Sequence, residues 1–308
     1  MVNLRNILKK INIKGELLFN EPMSGHTTYE TGGPAEIFCV PADTRELIEV
    51  LEAANRCASD YFILGGGANL LVSDKGIPGL VIDIKHFDGI NIADDGRASF
   101  GSGLIVDSAA EAALEAGFSG FDSFYGMPGT VGGAVWMNAR CYGRSISDIL
   151  ASVTYLNESH SIRTMTPQEG DFDYKISPFQ NGDSVILEAE FRLIKCSREI
   201  IRKEMDKNRS DREAKGHYAG PSAGSVFKNN RAFGKPSGAI IDSLNLRGTE
   251  IGGAKISDHH ANIFINKGNA TSADIYRLIN FVQTKVRDEL GFELEPEIRM
   301  VGDFSDLL

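Results

Sequence analysis

Two glycine-rich segments are the first places in this sequence where chemistry is to be expected. They are Gly65-Gly66-Gly67-Ala68-Asn69-Leu70-Leu71 and Gly126-Met127-Pro128-Gly129-Thr130-Val131-Gly132-Gly133-Ala134. Neither carries a charged side chain, so an anion held there would be held by backbone amides, which small residues allow to approach closely. A diphosphate group fits that description. The same segments also fit tight turns between strands, and the residues alone leave both interpretations open.

Neither segment follows a common nucleotide-binding motif. Where a Rossmann fingerprint needs its third glycine or alanine, the first segment has Leu70, and a strand-like run follows instead of a helix. Neither segment continues into the Gly-Lys-Ser/Thr of a P-loop. After the second segment, residues 134–139 predict the start of a helix whose positive end would support the same phosphate.

Composition and charge restrict the function classes. The chain has 308 residues, 42% apolar and 24% charged, which is typical of a soluble protein of about two domains. A net charge of -10 argues against nucleic acid or an anionic membrane as a partner. No secretory signal and no run of ~18 apolar residues is visible, so we expect a cytoplasmic protein. The four cysteines and six histidines lack metal-ligand spacing, so we expect neither a metal site nor a disulfide framework.

Caps and periodicity predict the elements that would position these segments. Asp43 and Glu46 predict a reciprocal helix cap, and Thr271 with Asp274 predicts another. Glycines end the helices at 106–116 and after Thr271. Strands are predicted at 61–64, 70–73 and 184–194. Residues 197–215 predict a charged, solvated helix that joins two domains, with the boundary near residue 196.

Several motifs together resemble one enzyme family. On the N-terminal side they are His26-Thr27-Thr28, Thr31-Gly32-Gly33-Pro34-Ala35, 65–71, 128–134 and Met137-Asn138-Ala139. On the C-terminal side they are Pro221-Ser222-Ala223-Gly224-Ser225-Val226-Phe227-Lys228-Asn229, His260-Ala261-Asn262, Asn266 and Leu294-Glu295-Pro296-Glu297-Ile298-Arg299. In this order they resemble the UDP-N-acetylenolpyruvoylglucosamine reductases. The absence of a long insertion resembles the shorter subtype of the family, which lacks an extra substrate-covering loop.

The resemblance implies a fold and a reaction. The fold is α+β: an FAD-binding domain of the PCMH type at 1–195, made of two α/β subdomains divided near residue 85, then a smaller α/β substrate-binding domain at 196–300 and a tail at 301–308. NADPH reduces FAD that is bound without a covalent link. Hydride then passes to the enolpyruvyl ether of UDP-N-acetylglucosamine and gives UDP-N-acetylmuramate for peptidoglycan synthesis. We expect a small-molecule substrate as partner, no nucleic acid or membrane, and a monomer rather than an oligomer.

The resemblance also assigns residues to roles. Cofactor-binding positions are Gly65, Gly66, Gly67, Ala68, Asn69, Leu70, Pro128, Gly129, Thr130, Gly132, Gly133, Ala134 and Asn138. Substrate-binding positions are Tyr174, Arg209, Lys228, Asn229 and Arg299. The catalytic positions are Ser225, Glu297 and Lys175.

The residue type at each catalytic position suits a task that the reaction requires. Hydride addition leaves negative charge on the substrate, so the site needs a proton donor, which by resemblance is Ser225, and groups that stabilise the charge. Glu297 would hydrogen-bond the substrate carboxylate region. Lys175 stands where the family usually has arginine, and it keeps the positive charge but loses the bidentate fork. We hypothesise that Lys228 makes Ser225 more acidic. Taken alone, these residues also fit a turn hydroxyl and solvated surface charges.

Two alternatives stay open at this point. One is a flavin oxidase or dehydrogenase of the same broad fold that acts on another alcohol or sugar; the serine loop and the Glu297 segment argue against it. The other is a flavin-binding homologue with impaired catalysis, which Lys175 favours. The role of Arg140, where the family commonly has glycine, is undecided between a surface residue and a phosphate contact.

Overall fold

The computed structural model of the chain describes residues 4–307. Its α-helices are α1 Leu4–Leu8, α2 Thr44–Arg56, α3 Val106–Ala116, α4 Val131–Trp136, α5 Arg198–Ala214, α6 Ser237–Ser243 and α7 Ser272–Leu290. Its strands are β1 Glu16–Pro22, β2 Pro34–Val40, β3 Tyr61–Leu64, β4 Leu70–Val72, β5 Ile77–Asp83, β6 Ile90–Ile92, β7 Arg97–Gly101, β8 Phe118–Ser119, β9 Arg140–Cys141, β10 Arg144–Ser145, β11 Leu150–Leu156, β12 Ile162–Met165, β13 Val185–Arg192, β14 Ile194–Lys195, β15 Glu250–Ile251, β16 Ala254–Ile256, β17 Phe264–Asn266 and β18 Arg299–Val301.

The chain forms two compact units that alternate along the sequence. Of the described residues, unit 1 contains 4–18, 37–66 and 79–210, and unit 2 contains 19–36, 67–78 and 211–307. The chain therefore changes unit inside β1, inside β2, inside the first glycine segment, early in β5 and within α5. The domain boundary near residue 196 stays a prediction.

Unit 1 is built on two sheets. One has the order β1-β2-β5-β3, with β3 parallel to β5, and the other is antiparallel with the order β12-β11-β13-β7-β6. On the second sheet Phe100 and Phe191 pack with Phe121 in edge-to-face contacts, with ring centroids 5.1 and 4.8 Å from that of Phe121. Such pairs contribute about 0.5–1.5 kcal/mol each beyond the area they bury. The helices α3 and α4 cover this core.

The local signals in unit 1 placed most elements correctly. The predicted strand at 184–194 is β13, and α3 ends at Gly117, whose φ of +79° suits glycine. The cap of α2 is confirmed in one half only, because the Asp43 carboxylate accepts from the amide of Glu46. The Glu46 carboxylate does not return to the cap residue and accepts from the amides of Lys14 and Ala42 instead.

The helix α5 corrects the expectation of a solvated connector. Buried residues recur along its charged sequence at every fourth or third position. Residues at that spacing form a stripe on one face of a helix. Ile201 and Met205 are buried in the core of unit 1, and the Asn208 amide donates to the carbonyl of Asp122 at 3.1 Å. The stripe was missed because only two of its members are apolar.

Unit 2 is built around α7. The apolar face of this helix, formed by Ile275, Leu278, Ile279, Val282 and Val286, is buried in full, and the helix packs near the antiparallel sheet β15-β16-β17. Thr271 and Asp274 form the predicted capping box, and Gly291 ends the helix. The Asp74 carboxylate adds a further cap, since it accepts from the amides of Ser272 and Ala273 at 2.9 and 2.8 Å. Parallel pairing of β4 with β18 joins two distant parts of the sequence within this unit.

Among residues 4–307 no helix combines the length and the apolar character needed to cross a membrane.

Candidate active site

The two glycine segments meet inside unit 1. A Cβ atom on Gly66 would lie 2.8 Å from the Cα atom of Gly129, and one on Gly65 would lie 2.7 Å from Oγ1 of Thr130. Side chains do not approach a backbone that closely, so position 66 admits glycine alone without movement of its neighbour. Gly66 and Gly129, which are more than 60 positions apart in the sequence, thus lie on one surface.

Backbone donors collect on this surface. In the part of the chain that the structure describes, the amides of Gly65, Gly66, Gly129 and Thr130 donate to no protein acceptor. Backbone N–H groups without a basic side chain can bind phosphate oxygens through amide dipoles. The glycine segments therefore have amides that a phosphate could use, and the binding of a diphosphate there stays a prediction.

The start of α4 corrects a prediction made for the second segment. The helix begins at Val131 rather than Ala134, and it has only six residues. Its first amides are used within the protein, because those of Val131 and Gly132 donate to the carbonyls of Leu104 and Ser102 at 2.8 Å. These occupied amides argue against a phosphate contact at the start of this helix, whereas the loop amides before it have no protein acceptor among the described residues.

Ser102 adds a side-chain donor next to these amides. It is fully buried, its hydroxyl has no hydrogen-bond partner among residues 4–307, and a Cβ atom on Gly132 would lie 2.7 Å from its own Cβ. A buried hydroxyl without a partner costs about 1–3 kcal/mol, which a bound polar ligand atom would offset. Sequence reasoning missed Ser102, since nothing in the pattern Gly101-Ser102-Gly103 distinguishes it from a turn.

The second half of the first segment lies in unit 2. Gly67 has a φ of +61°, and its carbonyl accepts from the amide of Thr28 at 3.2 Å. The side chain of Asn69 donates to the carbonyl of Glu297 at 3.0 Å, and its own carbonyl accepts from the amide of Arg299 at 2.9 Å. Asn69 therefore ties the glycine segment to the predicted catalytic segment within one unit.

Ser225 and Glu297 lie on paired backbone. Phe227 and Pro296 face each other in an antiparallel bridge, and the amide of Glu297 donates to the carbonyl of Val226, the residue after Ser225, at 2.7 Å. On its other side Ser225 bridges Ile263. The structure therefore brings two of the three predicted catalytic residues to neighbouring positions of unit 2.

Two predicted substrate-binding residues beside Ser225 already have protein partners. The Lys228 ammonium lies 2.5 Å from a carboxylate oxygen of Glu295, whose side chain is 70% exposed. An exposed ion pair of this kind contributes about 0–1 kcal/mol, so it can be broken at little cost. Asn229 accepts from the amide of Ser237 at 2.9 Å, at the start of α6. The hypothesis that Lys228 acidifies Ser225 stays a prediction.

Lys175, the third predicted catalytic residue, lies in unit 1 at the tip of a tight turn. Asp173 and Ile176 exchange two backbone hydrogen bonds of 3.2 and 3.0 Å, which leaves Tyr174 and Lys175 as the central residues. Lys175 has a φ of +59°, in the left-handed region that usually takes glycine or asparagine. The side chains of Tyr174 and Lys175 are both half-buried.

The remaining arginines lie in different units. The Arg209 guanidinium of α5 lies 5.8 Å from the ring centre of Tyr125 in unit 1. Burial and the neighbouring Glu111 carboxylate raise the pKa of Tyr125. Tyr125 directly precedes the second glycine segment, and sequence reasoning passed over it.

Arg299 is in β18 of unit 2, and desolvation lowers its pKa. Arg140 is exposed in β9.

Comparison with known proteins identifies the family. A family profile described as the C-terminal domain of UDP-N-acetylenolpyruvoylglucosamine reductase matches residues 216–301, and an FAD binding domain profile matches residues 35–166. The UDP-N-acetylenolpyruvoylglucosamine reductase of Borrelia garinii subsp. bavariensis is 41% identical over 97% of this chain and 97% of its own length. That of Treponema denticola is 40% identical over 99% and 100%. The chain belongs to this family of reductases.

Solved structures agree with the family assignment. The crystal structure of UDP-N-acetylenolpyruvylglucosamine reductase from Thermus caldophilus aligns with a TM-score of 0.78 and 29% identity, over 94% of this chain and 100% of that one. The predicted α+β fold with a PCMH-type FAD-binding domain is thereby confirmed. A Physcomitrella patens BBE-like 1 variant aligns with a TM-score of 0.50 and 15% identity over 63% of the chain, which shows a shared fold and nothing more.

The residues present fit the FAD that this family uses. Four unpaired loop amides and the unpaired hydroxyl of Ser102 supply donors for a diphosphate, and the close approach at Gly66 keeps side chains out of the way. One predicted contact is restricted by the structure. The side chain of Asn138 is 3% exposed and bonded within the protein, and its backbone amide donates to the carbonyl of Val135 at 3.1 Å, so neither group is available to a cofactor.

Proposed function

We propose that this chain reduces the enolpyruvyl ether of UDP-N-acetylglucosamine to UDP-N-acetylmuramate, with NADPH as the source of hydride. Similarity over nearly the whole length to reductases named for this substrate supports the proposal. The observation that carries it is the pairing of the Ser225 and Glu297 segments inside the region matched by the C-terminal family profile. An oxidase of the same broad fold has no need of either residue.

The chemistry sets the tasks of the side chains. FAD, when bound, carries hydride from NADPH to the β carbon of the enolpyruvyl group. Negative charge then develops on the α carbon and spreads into the substrate carboxylate, so the site must stabilise that charge and deliver one proton. In this proposal the hydroxyl of Ser225 gives the proton to the α carbon.

The other two residues act on the developing charge. Glu297 holds the carboxylate end of the substrate, and the ammonium of Lys175 stabilises the enolate by its positive charge. A lysine does this as a point charge, without the two parallel hydrogen bonds of a guanidinium. Tyr174, Arg209, Asn229 and Arg299 are proposed to bind the rest of the UDP-sugar.

The setting of the reaction completes the proposal. The product is a precursor of peptidoglycan, so the protein would act in the cytoplasm in cell-wall synthesis and thereby in cell shape and division. We propose that it works as a monomer on a small-molecule substrate, without nucleic acid. We also propose that it is of the shorter subtype.

Stopped-flow measurement of the two half-reactions tests the proposal. In Ser225→Ala we expect reduction of bound flavin by NADPH to persist, because no proton to the sugar is involved. Reoxidation by the enolpyruvyl sugar should slow by roughly 10²–10⁴, the usual effect of losing a general acid. Ser243→Ala in α6 of the same unit, whose hydroxyl caps the carbonyl of Ile240, should leave both rates unchanged.

The same measurement can contradict the assignment. Equal slowing of both half-reactions in Ser225→Ala would make Ser225 a structural residue. Failure of the enolpyruvyl sugar to reoxidise the unmodified, reduced protein would remove the proposed function itself.

A further inference from the structure

The turn that carries Lys175 is held in a conformation that its own sequence does not favour. Its backbone bonds join Asp173 to Ile176, and the tip residue Lys175 has a φ of +59°. A residue with a Cβ atom avoids this region unless surrounding contacts impose it. The contacts that impose it should therefore be visible around the turn.

Asn138 makes the first of these contacts. Its side-chain amide donates to the carbonyl of Asp173 at 2.7 Å, and its side-chain oxygen accepts from the amide of Ser147 at 3.3 Å. The residue is 3% exposed, so both bonds are shielded from water. Its own φ of +41° is also left-handed, a conformation that asparagine tolerates better than most residues.

Gln180 and Ser177 make the second set of contacts. The side-chain amide of Gln180 donates to the carbonyl of Lys175 and to the carbonyl of Trp136, at 3.0 Å in each case. The hydroxyl of the buried Ser177 donates to the same Trp136 carbonyl at 2.6 Å. Trp136 is the last residue of α4, where helix carbonyls lack intrahelical partners.

The turn is thus fastened to the carbonyl end of α4. The opposite end of this short helix begins inside the second glycine segment, at Val131. The same six-residue element therefore connects the loop amides proposed to hold FAD with the turn that presents Lys175. Both are parts of unit 1, so the connection is internal to that unit.

We propose that Asn138 is a positioning residue for the second half-reaction, which fixes the Lys175 turn against the end of α4 with the help of Gln180. The inference rests on the proposed function, because it takes Lys175 to act on the substrate. It assigns Asn138 no contact with the reacting atoms. Its effect passes through the placement of Lys175.

Asn138→Gly is the most direct variant. Glycine keeps the left-handed backbone at position 138 and removes both side-chain hydrogen bonds. We expect flavin content and the rate of flavin reduction by NADPH to stay within about twofold of the unmodified holoenzyme. Reoxidation by the enolpyruvyl sugar should slow by about 10–100-fold, since a misplacement near 1 Å can cost about 10²-fold.

A double-mutant comparison separates positioning from general damage. In a Lys175→Ala background, Asn138→Gly should add less than about twofold to the loss, because the residue through which it acts is gone. Gln180→Met, which removes the donors and keeps the length of the side chain, should show the same pattern. Asn157→Gly is the matched control: its side chain fixes the exposed turn 157–161, which contains His160 at a φ of +55°, and both half-reactions should be unaffected.

Hydrogen exchange gives a readout that does not depend on catalysis. Amides of residues 173–176 should exchange faster in Asn138→Gly than in the unmodified protein, while those of α3 keep their protection. Unchanged exchange at 173–176 would overturn the proposed clamp even if the proposed function holds. Loss of FAD, equal slowing of both half-reactions or additive losses with Lys175→Ala would also overturn it. If the enolpyruvyl sugar fails to reoxidise the unmodified enzyme while exchange at the turn responds, the proposed function fails and the clamp alone remains.

Discussion

Gly66 lies directly against the backbone of the other glycine segment. Its hydrogen points at the Cα atom of Gly129, and a methyl group there would push the two segments apart. A hydrogen bond to a charged group contributes about 1.5–3 kcal/mol, so losing one weakens FAD binding on the order of 10–100-fold. In Gly66→Ala we therefore expect a lower flavin-to-protein absorbance ratio and weaker FAD rebinding.

The control for this change is Gly89→Ala. A Cβ atom on Gly89 meets nothing within 4 Å, and this glycine does not have a left-handed φ. It should retain full flavin content. Equal flavin content in Gly66→Ala and Gly89→Ala would show that the contact at Gly66 does not shape the cofactor site.

Most elements of the fold follow from signals that are local in the sequence. The helix that begins after Thr271 and the one that ends at Gly117 were placed correctly, because a cap involves residues only three or four positions apart. The partner of Asn69 could not be found in this way, since it lies 228 residues further on. The left-handed backbone of Lys175 was also invisible, because tertiary hydrogen bonds impose it on a sequence without a glycine.

The restriction to local signals also explains which residues of the candidate site could be predicted from the sequence. The positions of the glycine segments and of Ser225 could be predicted from residue types and from the family resemblance. Ser102 could not, because its unpaired hydroxyl gains meaning only from the neighbours that the fold supplies, and Asn138 was predicted as a cofactor contact although its side chain bonds to the carbonyl of Asp173. The helix at 131–136 was misplaced for a related reason: its first turn contains two glycines, which carry no helical periodicity.

The segment that follows α5 predicts a dependence of stability on pH. Burial, then the charge of Arg212 and the neighbouring His260, lower the pKa of His217 to about 4, with Lys215 acting in the same direction and Asp211 against it. The ordinary value is about 6.5. The unfolded chain therefore takes up a proton between pH 6.5 and pH 4 that the folded chain refuses. Stability from this residue is complete above pH 6.5 and is lost as the pH falls through that window.

Urea unfolding measures the effect. Between pH 7.5 and pH 5 we expect His217 to lower the free energy of unfolding by about 1 kcal/mol, since solvent screens this half-buried ring, and His217→Gln to remove that part of the decline. The same pH dependence in His217→Gln and in the unmodified protein would contradict the prediction.

At the scale of the whole molecule, the two units alternate along the chain, and this alternation determines which fragments of the chain can fold alone. Unit 2 draws Tyr29 and Leu71, both fully buried in its core, from segments far upstream of residue 211. The carbonyl of Tyr29 also accepts from the side chain of Asn266 at 2.9 Å. A fragment of residues 196–308 lacks these segments and the β4 partner of β18.

We expect that fragment to unfold without a cooperative transition. A heat scan followed by far-ultraviolet circular dichroism should show a gradual change, whereas the full chain should show a sharp one. Fast exchange of the α7 amides in the fragment would agree with this. A sharp transition in the fragment would mean that the upstream segments are dispensable for the fold of unit 2.

The pairing of β4 with β18 also has a consequence during synthesis. Ribosomes add about 5–20 residues per second, so the 228 residues between Asn69 and Glu297 take roughly 10–45 s to appear. Once it has left the exit tunnel, the nascent β4 exposes its apolar residues Leu71 and Val72 without the strand that they will join for the rest of that time. The growing polypeptide thus presents an open strand edge to the cell long before translation ends, and chaperones that recognise such edges have that interval in which to act.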